Sequence, residues 1–163
     1  MMGSGGMIVM DEDDCMVSVA RFYLDFTVEE SCGKCTPCRI GNKRLLEILN
    51  RITQGCGTEK DLETLSTFGH VIKDTALCGL GQTSPNPVLS TLNNFYDEYL
   101  EHVKDKTCRS KQCKALLTYS INPEKCIGCH LCFKHCPADA IIGDVRKPHV
   151  IDPNKCIKCG TVS

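Results

Sequence analysis

Twice in this sequence three cysteines stand two residues apart, as Cys32-x2-Cys35-x2-Cys38 and as Cys126-x2-Cys129-x2-Cys132. Three thiols on so tight a loop leave one odd thiol however they pair locally, which argues against a disulfide scaffold. Zinc prefers four ligands, commonly from two Cys-x2-Cys pairs, and gains little from a third evenly spaced cysteine. Three thiolates on one loop instead suit three corners of a cuboidal [4Fe–4S] cluster, whose fourth ligand arrives from elsewhere. A fold that satisfies this spacing must therefore bring a distant cysteine to each triplet. In all, 14 of the 163 residues are cysteine. The start, Met1-Met2-Gly3-Ser4-Gly5-Gly6, has no basic segment followed by an apolar one. The expected compartment is cytoplasmic and reducing, where ligation is favoured over disulfides. A formal charge of −1 gives no basic footprint for nucleic acid. No apolar run approaches the ~18 residues that a membrane helix needs.

Apolar periodicity predicts helices over the first two thirds of the chain. Met16, Val19, Ala20, Tyr23 and Phe26 form one stripe within 15–29. Leu45, Ile48, Leu49 and Ile52 form a second, ended by Gly55 and Gly57. Thr58 and Asp61 suit a capping box, opening a helix with Leu62, Leu65, Phe68 and Ile72. Asn86 before Pro87 opens a fourth, with Val88, Leu92, Phe95, Tyr96, Tyr99 and Val103. Four one-sided helices with short connections predict an up-down four-helix bundle over 14–107. Met7 to Met10 is a lone strand candidate with no sheet to join, so 1–13 reads as the remnant of a preceding domain.

Residues 108–163 read differently, as a ferredoxin-like module that with the bundle makes the chain α+β. Short strands are expected at 116–119, 140–142 and 149–151. Ile121-Asn122-Pro123-Glu124-Lys125-Cys126-Ile127-Gly128-Cys129 returns thirty residues later as Ile151-Asp152-Pro153-Asn154-Lys155-Cys156-Ile157-Lys158-Cys159. Such duplication predicts a pseudo-twofold unit. Cys126-x2-Cys129-x2-Cys132-x3-Cys136-Pro137 is the run of a two-cluster bacterial ferredoxin, in which the fourth cysteine serves the other cluster. The second copy supplies Cys156 and Cys159 but has Val162 at the third position, and the sequence stops at Ser163. Cys126, Cys129 and Cys132 thus make one incomplete set, and Cys136, Cys156 and Cys159 another. The module is expected to be truncated at its C-terminus, with both clusters absent or labile in the chain as given.

In an up-down bundle the first and third connections lie at one end. Cys32, Cys35, Cys38 and Cys78, the last in Leu77-Cys78-Gly79-Leu80-Gly81, would converge there on one complete [4Fe–4S] site. At the other end Cys15 approaches His102, Cys108 and Cys113, a Cys₃His set suited to tetrahedral zinc and able to pin the second module to the bundle. Cys56 is the rival ligand, and spare buried thiols are the plain alternative. His70 reads as a surface residue. His130 and His135 read as facing solvent or shaping the cluster's surroundings, and the basic run Lys104, Lys106, Arg109, Lys111 and Lys114 as a solvated linker.

Glu30-Ser31-Cys32-Gly33-Lys34-Cys35-Thr36-Pro37-Cys38-Arg39, with Cys78-Gly-Leu-Gly-Gln82, resembles the NADH-binding flavoprotein subunit of respiratory complex I. The appended ferredoxin unit and the Gly3–Asp11 segment are more similar to the beta subunit of NAD-dependent, electron-bifurcating iron hydrogenases. Formate dehydrogenase subunits are related. The resemblance implies that electrons pass from NADH through FMN to the bundle cluster and on to partner subunits. It also implies that FMN and NADH belong to an upstream domain whose glycine-rich loop is not in this sequence, and that 1–13 ends a ubiquitin-like domain. The chain alone is then expected to hold neither FMN nor NAD and not to oxidise NADH. Lys34 and Arg39 would offset cluster charge. The competing expectation is a zinc-stabilised structural module joining subunits.

Overall fold

The computed structural model describes residues 8–161, and the chain divides into two units between Leu116 and Leu117. The glycine-rich start through Met7, together with Val162 and Ser163, lies outside the described residues. Ile8 to Met10 form no strand.

The first unit is helical: α1 (Met16–Glu29), α2 (Asn42–Thr53), α3 (Glu59–Thr75), a short α4 (Gly79–Thr83), α5 (Asn86–Asn94) and α6 (Tyr96–Leu100). α1 packs on α2 and α5, and α3 packs on α5 and α2. Val17, Ala20 and Leu24 of α1 meet Leu45, Leu49 and Ile52 of α2, Leu62, Leu65 and Ile72 of α3, and Val88 and Leu92 of α5. Each of these Val, Leu and Ile side chains contributes about 1.5–3 kcal/mol when withdrawn from water. The Thr58–Asp61 capping box forms as the sequence predicts. One Asp61 oxygen accepts the Thr58 N–H at 2.8 Å and its hydroxyl at 2.9 Å, while the other pairs with Arg51.

Several sequence expectations need correction here. α1 buries Val17 and Leu24, so its inward face is turned from the predicted stripe, and Phe26 is 56% exposed. Phe68, Phe95 and Tyr96, also placed on inward stripes, are 43%, 44% and 48% exposed. The predicted fourth helix is not continuous. Phe95 leaves helical geometry at φ −129° and ψ 39°, α6 restarts the chain, and a π-helical turn over Glu101–Asp105 follows. A second π-helical turn, Pro37–Gly41, leads into α2. Residues 116–119 make no strand, because Lys114–Leu116 is a 3₁₀ turn whose Leu116 joins the helical core. The expected boundary at 107/108 lies instead after Leu116, since Cys108 and Cys113 are buried within the first unit. Part of the basic run is committed to structure. Lys104 pairs with Glu59 at 3.2 Å, Lys106 donates to the Gly57 carbonyl at 2.9 Å, and Arg109 pairs with Glu101.

The second unit contains α7 (Leu131–His135) and an antiparallel pair, β1 (Ile141–Ile142) with β2 (Val150–Ile151), in the register Ile141↔Ile151 and Ile142↔Val150. The sequence repeat is a structural repeat. Asn122 Oδ1 accepts the Glu124 N–H at 2.9 Å and its carbonyl accepts the Cys126 N–H at 3.1 Å. Asp152 does the same for Asn154 and Cys156, at 2.9 and 3.0 Å. These Asx turns present Cys126 and Cys156 from equivalent corners. Gly128 (φ +68°) and its counterpart Lys158 (φ +55°) both adopt the left-handed conformation. A Cβ on Gly128 would also lie 2.6–2.7 Å from the backbone of Arg146 and Lys147. Left-handed backbone costs an L-residue roughly 1–2 kcal/mol, and the backbone collision adds to it. Gly128→Ala is therefore expected to open 117–161 to protease at least tenfold faster, and an unchanged cleavage rate would contradict this packing.

Candidate iron–sulfur and metal centres

Two groups of candidate ligand side chains lie in the first unit, each with one member on a π-helical turn. Cys38 sits on Pro37–Gly41 and His102 on Glu101–Asp105. A π turn inserts an extra residue into the helical register, which re-aims a side chain, and such turns concentrate at functional sites.

In the first group, α4 and the Ala76–Cys78 segment close over the triplet loop. A Cβ on Gly81 would stand 2.7 Å from the Ala76 Cβ, 3.2 Å from the Cys38 Cβ and 3.6 Å from its sulfur. Glycine at 81 is therefore required beside Ala76, and it lets α4 pack closely on Cys38. The Leu77 N–H and, next, the Cys38 N–H point at Cys35 and lower its thiol below the ordinary range. Backbone N–H groups converging on a thiolate are the donor set an anionic cluster requires. Cys38 is buried, Cys35 half-buried, and Cys32 and Cys78 are exposed. The structure thus brings Cys35 and Cys38 beside the Leu77–Gly81 segment, and it leaves Cys32 exposed on the loop before them. Arg39 donates to the Gly33 carbonyl at 3.3 Å, which braces that loop.

The second group is tighter. The ligand atoms of Cys15, His102, Cys108 and Cys113 all lie within 4.8 Å of one another, and all four residues are buried. Cys15 Sγ is 3.8 Å from Cys113 Sγ, and the two sulfurs are 3.3 and 3.4 Å from His102 Nε2. Zn–S near 2.3 Å and Zn–N near 2.0–2.1 Å in a tetrahedron put sulfurs ~3.8 Å apart and S···N ~3.6 Å, so the spacing fits a single ion. His102 Nδ1 lies 2.7 Å from the Glu98 carbonyl, which can only accept. Nδ1 therefore carries the proton, and Nε2 is left to face the sulfurs. A hydrogen bond from Cys113 lowers the Cys15 thiol, and giving that bond pushes Cys113 up. Burial opposes charge on His102, yet the bond to Cys15, the Glu98 carbonyl and the neighbouring cysteines carry it up to about 9. An entering cation would displace these protons and take over the thiolates.

The surroundings hold this pocket shut. The Glu98 carboxylate accepts the Met16 N–H at 3.1 Å, and Gln112 donates to the Asp13 carbonyl at 2.8 Å and the Asp14 carboxylate at 3.1 Å. Cys56 is exposed and does not belong to the group. His70 is exposed on α3, as the sequence predicts.

In the second unit Cys136, Cys156 and Cys159 line one small cavity with Tyr119, Ile141 and Ile151. The Ala140 N–H points at Cys136 Sγ at 3.3 Å, and the Thr161 hydroxyl at Cys159 Sγ at 3.1 Å. The Thr161 hydroxyl, then its N–H, lowers the Cys159 thiol. An apolar cavity with three sulfurs and N–H or O–H donors aimed at them suits a cluster corner. The other set has the same exposure, with Cys126 and Cys132 half-buried and Cys129 exposed, and Cys126 receives the His149 N–H at 3.5 Å.

His149 escaped the sequence reading. It is 1% exposed, and its Nε2 is 2.8 Å from His130 Nδ1, whose ring stacks on Phe133 at 4.4 Å between centroids. Its place just before β2, outside every cysteine motif, gave no signal.

Comparison with known proteins decides the family. The NADH-ubiquinone oxidoreductase-F iron-sulfur binding region matches residues 18–102, over half of the sequence. The chain belongs to this family. A 4Fe-4S binding domain also matches residues 119–142. This member of the iron–sulfur family is 64% identical over 148 residues to the NADP-reducing hydrogenase subunit HndC of Solidesulfovibrio fructosivorans, covering 91% of this chain and 30% of that protein. It is 40% identical over 84 residues to the alpha subunit of the NAD-reducing hydrogenase HoxS of Cupriavidus necator, over 52% of this chain and 14% of the relative. A chain of the NADH-quinone oxidoreductase of Mycobacterium bovis is 38% identical, over 66% of this chain and 24% of the relative. An NAD⁺-reducing [NiFe]-hydrogenase in the H2-reduced state superposes with a TM-score of 0.56 and 29% identity, over 59% of this chain and 16% of that one. The chain thus spans less than a third of the length of these relatives. No helix among the described residues is long and apolar enough to cross a membrane.

Proposed function

We propose that this chain is the iron–sulfur conduit of an NADH-linked, multi-subunit oxidoreductase of the hydrogenase or NADH dehydrogenase kind. Electrons from the FMN of an upstream domain enter a [4Fe–4S] cluster held by Cys32, Cys35, Cys38 and Cys78 at one end of an up-down bundle of α1, α2, α3 and α5. They leave towards partner subunits. The observation that carries this reading is the Gly81 approach, which sets α4, immediately after Cys78, so close to Ala76 and Cys38 that a Cβ there would collide with Ala76 and crowd Cys38. Cys126, Cys129 and Cys132, with Cys136, Cys156 and Cys159, supply three thiolates to each of two further clusters in the second unit.

The buried Cys15, His102, Cys108 and Cys113 set favours a second, structural role. A zinc ion there ties residues 108–116 to the start of α1 and the end of α6. Conduit and structural module coexist in one chain.

The function is tested by reducing the anaerobically reconstituted chain, removing the reductant, and mixing with a one-electron acceptor. Full, repeatable bleaching and recovery of the visible cluster absorption is expected. A chain that holds iron but does not cycle would contradict the conduit role.

A further inference from the structure

Of the four cysteines assigned to the bundle cluster, Cys38 alone is buried, at 5% exposure. The exposed sulfurs can be hydrated by water, whereas that of Cys38 must find its donors in the protein. Asn42 stands one turn along, wholly buried at the head of α2, with Nδ2 3.5 Å from Cys38 Sγ. The Ser84 hydroxyl lies 2.9 Å from Asn42 Oδ1 and equally 2.9 Å from the Gly81 carbonyl. Ser84 is itself 4% exposed. Closer to the surface, Ser31 Oγ lies 3.3 Å from Cys38 Sγ and accepts the Gly33 N–H at 3.3 Å, which leaves its own hydrogen for the sulfur.

The protonation of the sulfur selects the amide's orientation. A cluster-bound Cys38 is a thiolate and can only accept, so Asn42 must turn Nδ2 towards it and Oδ1 towards Ser84. Ser84, whose single hydroxyl hydrogen is shared between Oδ1 and the Gly81 carbonyl, supports the orientation that the thiolate selects. The opposite flip would set Oδ1 against the thiolate, lone pair against lone pair. Nothing else among the described contacts of Asn42 requires an amide in this otherwise apolar layer, and a buried amide is costly unless both its ends are used.

We propose that Asn42, supported by Ser84, is a positioning and potential-setting residue for the bundle cluster, acting through the buried sulfur of Cys38. The inference rests on the cluster assignment made above. Reduction adds one negative charge to the cluster and its thiolates. A donor aimed at a sulfur binds the reduced form more tightly and so raises the potential. Burial strengthens the effect, because no water competes. Loss of the donor therefore shifts the potential to more negative values.

The test uses the full chain, reconstituted anaerobically with iron and sulfide and titrated electrochemically under EPR. The bundle signal is identified as the one that Cys78→Ala abolishes. Asn42→Leu is expected to retain bundle iron and to lower the ratio of reduced to oxidised cluster at a fixed ambient potential by roughly five- to tenfold. Tenfold corresponds to about 59 mV for a one-electron couple. Ser84→Ala, which leaves the donor in place but removes its support, is expected to shift the midpoint in the same direction by less. Asn42→Leu with full iron and an unchanged midpoint would overturn the proposal. If Asn42→Leu fails to hold iron, Ser84→Ala decides: a negative shift supports the role, and an unmoved midpoint overturns it. A wild-type chain that takes up no iron at the bundle overturns the cluster assignment itself, and is distinguished by its lack of any signal to titrate.

Discussion

Replacing His102 with alanine is expected to strip zinc from the purified chain, from about one ion per chain to near none, and to lower its thermal midpoint sharply. The three sulfurs that remain, Cys15, Cys108 and Cys113, are buried with the imidazole in a pocket whose ligand atoms all fall within 4.8 Å. Without an ion, that pocket gathers thiols and an imidazole whose protons and charges compete. With an ion, the same atoms become ligands. At free zinc a thousandfold above its dissociation constant, linkage contributes about 4 kcal/mol to the folded state, a large part of the stability of a small unit. Cys113→Ser should behave likewise, and Cys56→Ser should change nothing, since Cys56 is exposed outside the group. Zinc analysis and a thermal melt measure both effects. Equal zinc content in wild type and His102→Ala would contradict a metal site at this pocket.

Cys78→Ala is expected to abolish the bundle cluster while leaving zinc in place. Cys78 is the only cysteine of the proposed four that comes from outside the triplet loop, and it precedes α4, whose Gly81 presses against Cys38. Its removal should cost close to the full ~four iron of one [4Fe–4S] cluster and the corresponding EPR signal. Because the zinc pocket draws on none of the same residues, the two losses should be separable: Cys78→Ala removes iron, and His102→Ala removes zinc. Loss of both metals in either variant would mean that the first unit unfolds, and circular dichroism would report it.

The parts of this architecture that the sequence made legible are those set by short-range chemistry. The Thr58–Asp61 capping box, the thirty-residue repeat and the short strands within 140–142 and 149–151 each depend on a few neighbouring residues. The meeting of Cys15 with His102, Cys108 and Cys113 was legible for a different reason. Ligands with no other partner could be sorted by which end of a helical array they occupied. What was not legible depended on helix rotation and on the register within helices. The stripe on α1 is ambiguous by about one residue, because Met16, Val17, Val19 and Ala20 are all apolar, and contact with α2 and α5 chose Val17 and Leu24. The break at Phe95 and the two π turns leave no mark in composition, yet they aim Cys38 and His102. Asn42 and Ser84 read as ordinary polar residues, and only burial reveals them as neighbours of a sulfur. His149 was hidden for the same reason.

The first unit is proposed to hold a four-iron cluster on Cys32, Cys35, Cys38 and Cys78. The most direct test is Mössbauer spectroscopy on the full chain after anaerobic reconstitution with ⁵⁷Fe and sulfide, beside Cys78→Ala treated identically. The expected result is the quadrupole doublet of a [4Fe–4S]²⁺ cluster, amounting to about four iron per chain, present in the wild type and missing from the variant. A colourless wild-type chain that carries zinc alone, or a doublet of equal size in both chains, would contradict it.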